Sequence, residues 1–513
     1  MKKVLGIEFG STRIKAVLID EKGKVLANGG FGWENSYIDG IFTYGLEEII
    51  TGLQTAYSEL KRDYKEKYNE IITELDAIGI SGMMHGFMAF DKDWNLLSPF
   101  KTWRNTDTKE ASDKLYKTLN FNIPLRWSIS HLYQAILDKK PYLDKLQYVS
   151  TLAVYVHKLL TGEFVAGVGE ASGMFPIDPQ TKNYDEKMLK KANGLLKLKK
   201  RKIEDYFPKV LLAGECAGKL TAFGAKLLDK EGDLLAGALF CPPEGDAGTG
   251  MVATDAVAKK TGNISVGTSC FSMVVLEKPL KKAYKEIDVV TTPCGDEVAM
   301  VHCNNCTSEI NAWAKIFKEI SGIEDIHTKM FTEAEKGGFD CGGVCSCNYL
   351  SGEPLTGLDS GMPIVIRTPD SEFGFSNLCR SLVYSAIATL KLGMDILTVN
   401  EGVLIDRITG HGGFFKTEGV GGKILASAIN TPISVAETAG EGGAWGMAVL
   451  ALYATDNSAP LSEFLKTVFN GVKVKTYDVV EEIKNGFNEY MKNFEVVLKA
   501  EKSATEFKRR QYA

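Results

Sequence analysis

The residues around Asp246 include the side chain best suited to chemistry. Pro243-Glu-Gly-Asp246-Ala-Gly-Thr-Gly250 places an aspartate after a glycine and before a run of small residues. We expect Asp246 at the N-terminus of a short helix, whose dipole would keep the carboxylate ionised while the glycines let a ligand approach. An ionised carboxylate in a cleft can take a proton from a hydroxyl that attacks a phosphate. The same pattern is typical of an ordinary helix N-cap, so the motif alone leaves both roles open.

A turn near the N-terminus offers groups of a different kind. Gly10-Ser11-Thr12 joins two apolar stretches that predict β-strands within Val4 to Asp20. Gly10 allows close approach of the backbone, and the two hydroxyls can donate hydrogen bonds to phosphate oxygens. Glu8, at the end of the first strand, could hold Mg²⁺ through waters, because hard cations prefer carboxylate oxygens. A plain β-hairpin with a surface acid would give the same pattern.

The same outline recurs about half a chain later. In Gly262 to Leu276, two apolar stretches flank Gly267-Thr268-Ser269, so that Gly267 takes the place of Gly10. Two matching hairpins suggest two domains built on one plan, each offering backbone N–H groups and hydroxyls to a shared cleft.

Helices and strands that could position these turns alternate along the chain. Apolar residues at helical spacing predict helices, and short apolar runs bounded by turns predict strands. The clearest predicted elements are the helices Glu47 to Tyr68, Thr151 to Thr161, Phe375 to Leu397 and Gly422 to Ile429, and the strands Leu75 to Ser81 and Leu404 to Thr409. Alternation in both halves indicates mixed α/β domains.

The composition excludes several classes of protein. The 513 residues include 51 glycines but only 15 prolines, which favours a folded chain with many tight turns over a disordered one. The formal charge of −5 gives no reason to expect nucleic-acid binding, and the sequence shows neither a membrane-spanning apolar run nor a signal peptide. We therefore expect a cytoplasmic protein without a membrane or nucleic-acid partner, and a homodimer is compatible with these features.

Several short elements occur in one order along roughly residues 1–455. They are Gly6-Ile-Glu-Phe-Gly-Ser-Thr12, Ser81-Gly-Met-Met-His-Gly86, Thr102-Trp-Arg-Asn105, Leu160-Thr-Gly-Glu163, Gly245-Asp246, Ser265-Val-Gly-Thr-Ser269, Asn348-Tyr-Leu-Ser-Gly-Glu353 and Thr409-Gly-His-Gly-Gly413. Together they resemble the FGGY carbohydrate kinases, a branch of the actin-like ATPase superfamily. Met84-His85-Gly86 and the Leu-Ser-Gly-Glu element are most similar to those of xylulokinases.

The resemblance implies a fold and a set of site residues. It implies two ribonuclease-H-like α/β domains, at 1–257 and 258–455, closing over ATP and a sugar, with a helical tail at 456–513 packed on the second domain. Asp246 matches the family's catalytic base, and Glu8 and Asp246 would hold Mg²⁺. The implied ATP-binding residues are Gly10, Ser11, Thr12, Arg13, Gly267, Thr268, Ser269, Gly412, Gly413 and Lys416. The implied sugar-binding residues are Met84, His85, Gly86, Trp103, Arg104, Asn105 and Asp246.

Two departures from the family pattern bear on metal and sugar. The family usually has aspartate where this chain has Glu8, so a metal contact would reach one methylene further. Xylulokinases have Trp-Asn-Asp where this chain has Trp103-Arg104-Asn105. Losing the aspartate removes a hydroxyl acceptor, and Arg104 adds a donor. We expect a xylulose-like pentulose or a related polyol as the acceptor, and not necessarily D-xylulose itself.

The cysteines leave a second class of function open. Cys303 and Cys306 beside His302, with Cys341, Cys345 and Cys347, could together supply a zinc or iron–sulfur site, or they could be small buried side chains. The first possibility would suit a superfamily ATPase that acts as an activator protein with a cysteine-ligated cluster. A kinase-like protein that binds sugar without phosphorylating it is a third possibility, which the presence of Asp246 disfavours.

Overall fold

The computed structural model describes residues 2–198, 201–436 and 442–506, which form two α/β halves. The first half consists of β1 (Val4–Phe9), β2 (Arg13–Ile19), β3 (Val25–Gly32), β4 (Ser36–Ile38), β5 (Ile41–Thr43), α1 (Leu46–Tyr68), β6 (Ala77–Gly82), β7 (Met88–Phe90), α2 (Lys109–Leu119), α3 (Ser128–Leu137), β8 (Tyr148–Ser150), α4 (Leu152–Thr161), β9 (Val165–Gly167), α5 (Val168–Ser172), β10 (Ile177–Asp178), β11 (Asn183–Tyr184), α6 (Glu186–Leu196), β12 (Lys209–Leu211), α7 (Ala222–Leu228), β13 (Leu239–Phe240), β14 (Glu244–Gly245) and α8 (Asp246–Ala253). The second half consists of β15 (Thr261–Val266), β16 (Cys270–Val275), β17 (Asp288–Thr291), β18 (Glu297–Cys303), α9 (Ser308–Ser321), α10 (Ile326–Lys336), β19 (Val344–Cys347), β20 (Ile364–Arg367), α11 (Phe375–Asp395), β21 (Arg407–His411), α12 (Val420–Ile429), β22 (Ile433–Ala436), α13 (Gly442–Thr455), α14 (Leu461–Val468), β23 (Val474–Tyr477) and α15 (Glu481–Ala504).

The central sheet of the first half is built around β1. This strand pairs antiparallel with β2 and parallel with β6, and its register places Glu8 opposite Lys15. The strand β3 extends the sheet beyond β2, while β13 and β14 pair with β6. Branched and aliphatic residues on both faces of β1 are buried, as expected for a strand covered on two sides. The hairpin predicted around Gly10 is confirmed.

The central sheet of the second half repeats this arrangement around β15. Its strand order is β17-β18-β16-β15-β21-β22-β23. The strand β15 pairs antiparallel with β16 and parallel with β21, as β1 does with β2 and β6. The prediction of two mixed α/β domains on one plan is therefore confirmed.

One predicted strand proves shorter than expected. The apolar stretch that begins at Leu404 predicts a strand, but β21 begins only at Arg407. Leu404 is 62% exposed, and the Asp406 N–H donates to the Lys260 carbonyl at the edge of β15. The first apolar residues of the stretch therefore belong to the connection that leads into the sheet.

The helix α13 completes the core of the first half although it comes late in the chain. It is apolar on every side, which is typical of a fully covered helix, and it packs on β1, β6 and α8. A Cβ atom on Gly6 of β1 would lie only 2.2 Å from the Ala444 carbonyl oxygen. The Trp445 indole N–H donates to the Gly23 carbonyl at 2.8 Å.

The helix α11 forms the centre of the second core. The segment Phe375–Asn400 has the length and apolar composition of a membrane-spanning helix, yet 67% of its most apolar window is buried inside the protein. Its position is that of a core helix. Of the two helices that follow residue 456, α14 contributes Leu461 and Leu465 to the core shared with the first half, whereas α15 packs on α11, α12 and β19. Residues 507–513 of the predicted tail lie outside the described residues.

Candidate active site

Asp246 is the first residue of α8, directly after β14 brings the chain to the edge of the first sheet. Its Oδ1 accepts a hydrogen bond from the Met84 N–H at 3.0 Å, which joins the candidate base to the candidate sugar segment. Burial raises the pKa of Asp246, and the N–H groups of Met84 and Ala247 offset part of that rise. Burial thus opposes the helix dipole, which the sequence predicted would keep Asp246 ionised. A raised pKa makes the ionised carboxylate a better proton acceptor.

The segment Met84-His85-Gly86 has an unusual backbone. His85 has φ +75° and Gly86 has φ +91°, values that residues other than glycine rarely adopt. The Gly86 N–H donates to the Arg126 carbonyl at 3.2 Å. The imidazole of His85 lies 6.2 Å from the Trp127 ring, and its Nδ1 lies 3.4 Å from the Gly173 carbonyl. Backbone held in such a conformation is commonly found at functional sites, where the surrounding structure maintains it.

The three residues of the Trp-Arg-Asn element lie in different environments. The Trp103 indole N–H donates to Ser11 Oγ at 3.1 Å, so this residue reaches the first hairpin turn. The Arg104 guanidinium lies 4.4 Å from the centre of the Phe42 ring. Asn105 is buried, and its amide bonds to the backbone of Phe42 and to Thr102. The amide of Asn105 therefore holds the β4–β5 hairpin, and its predicted contact with sugar stays a prediction.

Aromatic residues hold the carbonyl groups of the first hairpin turn. The Trp33 indole N–H donates to the Gly10 carbonyl at 2.7 Å, and the Tyr44 hydroxyl donates to the Ser11 carbonyl at 2.6 Å. The two rings stack with centres 4.1 Å apart. These bonds fix the shape of the turn. The Arg13 Nε lies 2.7 Å from where a Cβ on Gly30 of β3 would be, and the predicted contact of Arg13 with ATP stays a prediction.

The second hairpin turn is held by the segment that follows β18. The Thr307 N–H and its hydroxyl both donate to the Gly267 carbonyl, at 3.1 and 2.8 Å, and the Cys306 N–H donates to the Thr268 carbonyl at 3.1 Å. Gly412, at φ +111°, follows β21 and lies directly beside this turn, since a Cβ there would come within 2.3 Å of the Val266 carbonyl. Gly413 begins a short 3-10 helix, and Lys416 is exposed after it.

Glu8 and Asp246 form the part of the site that suits a cation. Burial and the charge of Asp246 raise the pKa of Glu8 to about 7, and Lys15 offsets part of the rise. A buried carboxylate whose pKa is raised partly by a second carboxylate is suited to pair with it around a divalent cation such as Mg²⁺. Lys15 was missed in the sequence, although the hairpin register could have placed it opposite Glu8.

Two buried glutamates beside the base were also missed. Glu244 accepts hydrogen bonds from the N–H groups of Gly169 and Glu170, at 3.3 and 2.9 Å. A Cβ on Gly167 or Gly169 would lie 2.2 or 2.4 Å from its carboxyl oxygens, so only glycine fits there. Glu170 is fully buried, and burial raises its pKa well above the usual value. Nothing in the local sequence distinguishes these glutamates from surface ones, since their partners are about 75 residues away.

The cysteines of the predicted metal site lie in two separate buried groups. Cys303 lies opposite Cys270 across β18 and β16, with Cys306 close to both. Cys345 and Cys347 lie on β19 beside the tail helix, where the Cys347 thiol contacts Glu501. All ten cysteines are free. Among residues 2–198, 201–436 and 442–506, no three histidine, cysteine or acidic side chains are arranged to hold a metal ion.

Comparison with known protein families accounts for most of the chain. Residues 3–232 match the N-terminal domain of the FGGY family of carbohydrate kinases, and residues 262–455 match its C-terminal domain. The xylulose kinase of Haemophilus influenzae is 23% identical over 505 residues, covering 95% of this chain and 97% of that protein. A gluconokinase of Bacillus subtilis is 22% identical, covering 88% and 87%.

Solved structures share the fold. A ligand-bound xylulose kinase from Lactobacillus acidophilus superposes with a TM-score of 0.82 at 18% identity, covering 98% of both chains. A gluconate kinase from the same organism also has a TM-score of 0.82 at 18% identity, covering 97% of this chain and 98% of the other. The family matches in both halves do not favour the alternative of an activator ATPase with a cysteine-ligated cluster.

Proposed function

This chain belongs to the FGGY family of carbohydrate kinases and is an ATP-dependent sugar kinase, and we propose that it phosphorylates a xylulose-like pentulose or a related polyol with Asp246 as the general base. The observation that carries the proposal is the hydrogen bond between the Met84 N–H and Asp246 Oδ1. It joins the residue that matches the family's base to the segment that matches its sugar site. The relatives named xylulose kinase support the choice of sugar.

The proposed reaction follows from the groups at Asp246. One oxygen, Oδ1, is already occupied by the Met84 N–H, which leaves Oδ2 to accept the proton of the sugar hydroxyl. The hydroxyl oxygen then forms a bond to the γ-phosphorus of ATP while the bond from that phosphorus to the bridging β,γ-oxygen breaks. The products are the sugar phosphate, ADP and a proton, which Asp246 passes on to water. The turns at Gly10 and Gly267 would hold the phosphate oxygens through N–H and hydroxyl groups.

The proposed metal and the proposed compartment complete this assignment. Glu8, through water, and Asp246 are the residues that would hold Mg²⁺, which when bound supplies positive charge to the phosphates. Domain closure around the cleft would exclude water and so limit hydrolysis of ATP.

We place the enzyme in the cytoplasm, where ATP and free sugars are available.

An ATP-consumption screen with a base variant tests the proposal. ADP release is measured with pentoses, hexoses, their ketoses, polyols and sugar acids, for the native protein and Asp246→Asn. We expect stimulation by a ketose or polyol, and a kcat about 1,000-fold lower in Asp246→Asn, because a positioned base contributes 100- to 10,000-fold.

The matched control is Asp255→Asn. Asp255 lies just beyond the C-terminus of α8, the helix that begins at Asp246, and its side chain pairs with Arg407. The kcat of this variant should stay within about twofold of the native value. Full activity in Asp246→Asn would rule out the proposed base, and a native enzyme that no sugar or polyol stimulates would rule out the reaction.

A further inference from the structure

One face of the second domain's sheet is turned toward the first domain. His302 on β18 lies opposite Phe271 on β16, and Met300, two residues earlier on the same face, lies opposite Asp288 on β17. Met300 belongs to the core that consists mostly of first-domain residues. The face that carries His302 and Asp288 therefore points toward the first domain.

An ion pair joins this face of the sheet to the candidate sugar segment. Arg126 Nη2 donates to Asp288 Oδ2, and the Asn122 amide donates to Asp288 Oδ1 at 2.9 Å. The carbonyl of the same Arg126 accepts the N–H of Gly86. Only 22% of the Arg126 side chain and 12% of the Asp288 side chain are exposed. The Arg126–Asp288 ion pair thus links the two domains, and a single hydrogen bond connects it to the backbone of Met84-His85-Gly86.

Two neutral histidines flank this ion pair. Burial lowers the pKa of His302 to about 4 and lowers that of His85 well below its usual value, and the charge of Arg126 lowers both further. His85 directly precedes Gly86, whose N–H donates to the Arg126 carbonyl, and His302 lies on the same face of the sheet as Asp288. Within the described part of the chain, the ring nitrogens of His302 have no hydrogen-bond partner. A neutral imidazole offers one donor and one acceptor, which suits a hydroxyl group.

We propose that Arg126, Asp288 and His302 bind the end of the sugar remote from the phosphorylated hydroxyl, and that this sugar is uncharged. The inference rests on the proposed function and adds the residues that would select its neutral acceptor over a sugar acid. Arg126 and Asp288 cancel in charge, both histidines are neutral, and Asp246 is the acid at the reacting end. Hydroxyls can accept from Arg126 and His302 and donate to Asp288 or His302. The carboxylate of a sugar acid would need Arg126 as its counter-ion, but Arg126 is already paired with Asp288. Binding of a sugar acid should therefore be disfavoured.

Two variants and one control test the assignment with D-xylulose, or the best neutral acceptor of the screen, and with gluconate. His302→Phe keeps a ring and removes the polar nitrogens, so the KM for the neutral sugar should rise about 10-fold while the KM for ATP changes little. Asp288→Asn keeps the shape and leaves the Arg126 charge unpaired. The ratio of kcat/KM for gluconate to that for the neutral sugar should then rise about 10-fold.

The control is Lys285→Met, which removes an exposed ion pair with Asp113 between the same two domains. Its sugar KM should match that of the native enzyme, which separates sugar contact from domain docking. Equal sugar KM values in His302→Phe, Asp288→Asn and Lys285→Met would overturn the proposed contacts. A native enzyme with a higher kcat/KM for gluconate than for every neutral sugar would overturn the substrate class. These two results presuppose a sugar-stimulated enzyme, so they are distinct from failure of the kinase function itself.

Discussion

The two hairpins share one backbone plan but are supported in different ways. Aromatic side chains hold the first turn, where Trp33 and Tyr44 donate to the carbonyls of Gly10 and Ser11. The backbone and hydroxyl of Thr307 hold the second turn through the Gly267 carbonyl. The comparison indicates that the shape of the turn matters more than the residue that fixes it, because a donor of either kind satisfies the carbonyl.

The largest expected effect is steric, and it depends on whether a glycine lies in a strand of its hairpin or in the turn. A Cβ on Gly6, in the first hairpin, would lie 2.2 Å from the Ala444 carbonyl, whereas the nearest atom to a Cβ on Gly267 is the Ser269 carbonyl oxygen at 3.8 Å. Gly6→Ala should lower the free energy of unfolding by about 3 kcal/mol or more, since the helix backbone cannot move aside easily. Gly267→Ala should change it by less than about 1 kcal/mol. Urea unfolding followed by tryptophan fluorescence measures both, and equal stabilities would contradict the difference.

A smaller effect on stability is expected from Glu353, an acid buried behind the second hairpin. Glu353 accepts hydrogen bonds from the N–H and amide of Asn305, each at 3.1 Å, and burial raises its pKa to about 7. The carboxyl group of Glu353 therefore binds its proton more tightly in the folded protein than in the unfolded chain. The stability gained from this protonated acid is fully present below about pH 4.5 and is lost as the pH rises through 7.

The change Glu353→Gln should remove that pH dependence. Between pH 5 and 7 the native protein should lose about 1 kcal/mol more stability per pH unit than the variant. Urea unfolding at several pH values measures the two slopes. Glu319→Gln, which changes an exposed acid of α9, serves as the control and should keep the native slope. Identical slopes for the native protein and Glu353→Gln would show that the acid is not the cause.

The smallest expected effects concern the turn carbonyls themselves. Trp33→Phe leaves the Gly10 carbonyl without its indole donor, and kcat/KM for ATP should fall about 10-fold. Thr307→Val removes one of the two donors to the Gly267 carbonyl and keeps the backbone N–H, so the fall should be about threefold. Steady-state kinetics with varied ATP measures both. A larger fall in kcat/KM for Thr307→Val than for Trp33→Phe would mean that the second turn depends on its side-chain donor more than the first turn does.

The sequence predicts features that are determined locally. The hairpins at Gly10 and Gly267 follow from apolar runs around a glycine and hydroxyl residues, and the helix predicted from Glu47 to Tyr68 is confirmed as α1. Features that depend on partners far apart along the chain could not be predicted from the sequence. The Arg126–Asp288 pair joins positions 162 residues apart, and the niche for Glu244 needs two glycines about 75 residues upstream. The strand predicted from Leu404 begins only at Arg407, because exposure of the first residues depends on the neighbouring sheet edge.

The position of α13 has a consequence for biosynthesis. The strands β1, β2 and β6 are complete within the first 82 residues, but the helix that covers them begins at Gly442. While the ribosome makes the segment between them, the apolar face of the first sheet has no native cover. We therefore expect the nascent chain to need protection from aggregation until its last quarter emerges. A fragment that ends at residue 257 should likewise be insoluble, although the family resemblance places a domain boundary there.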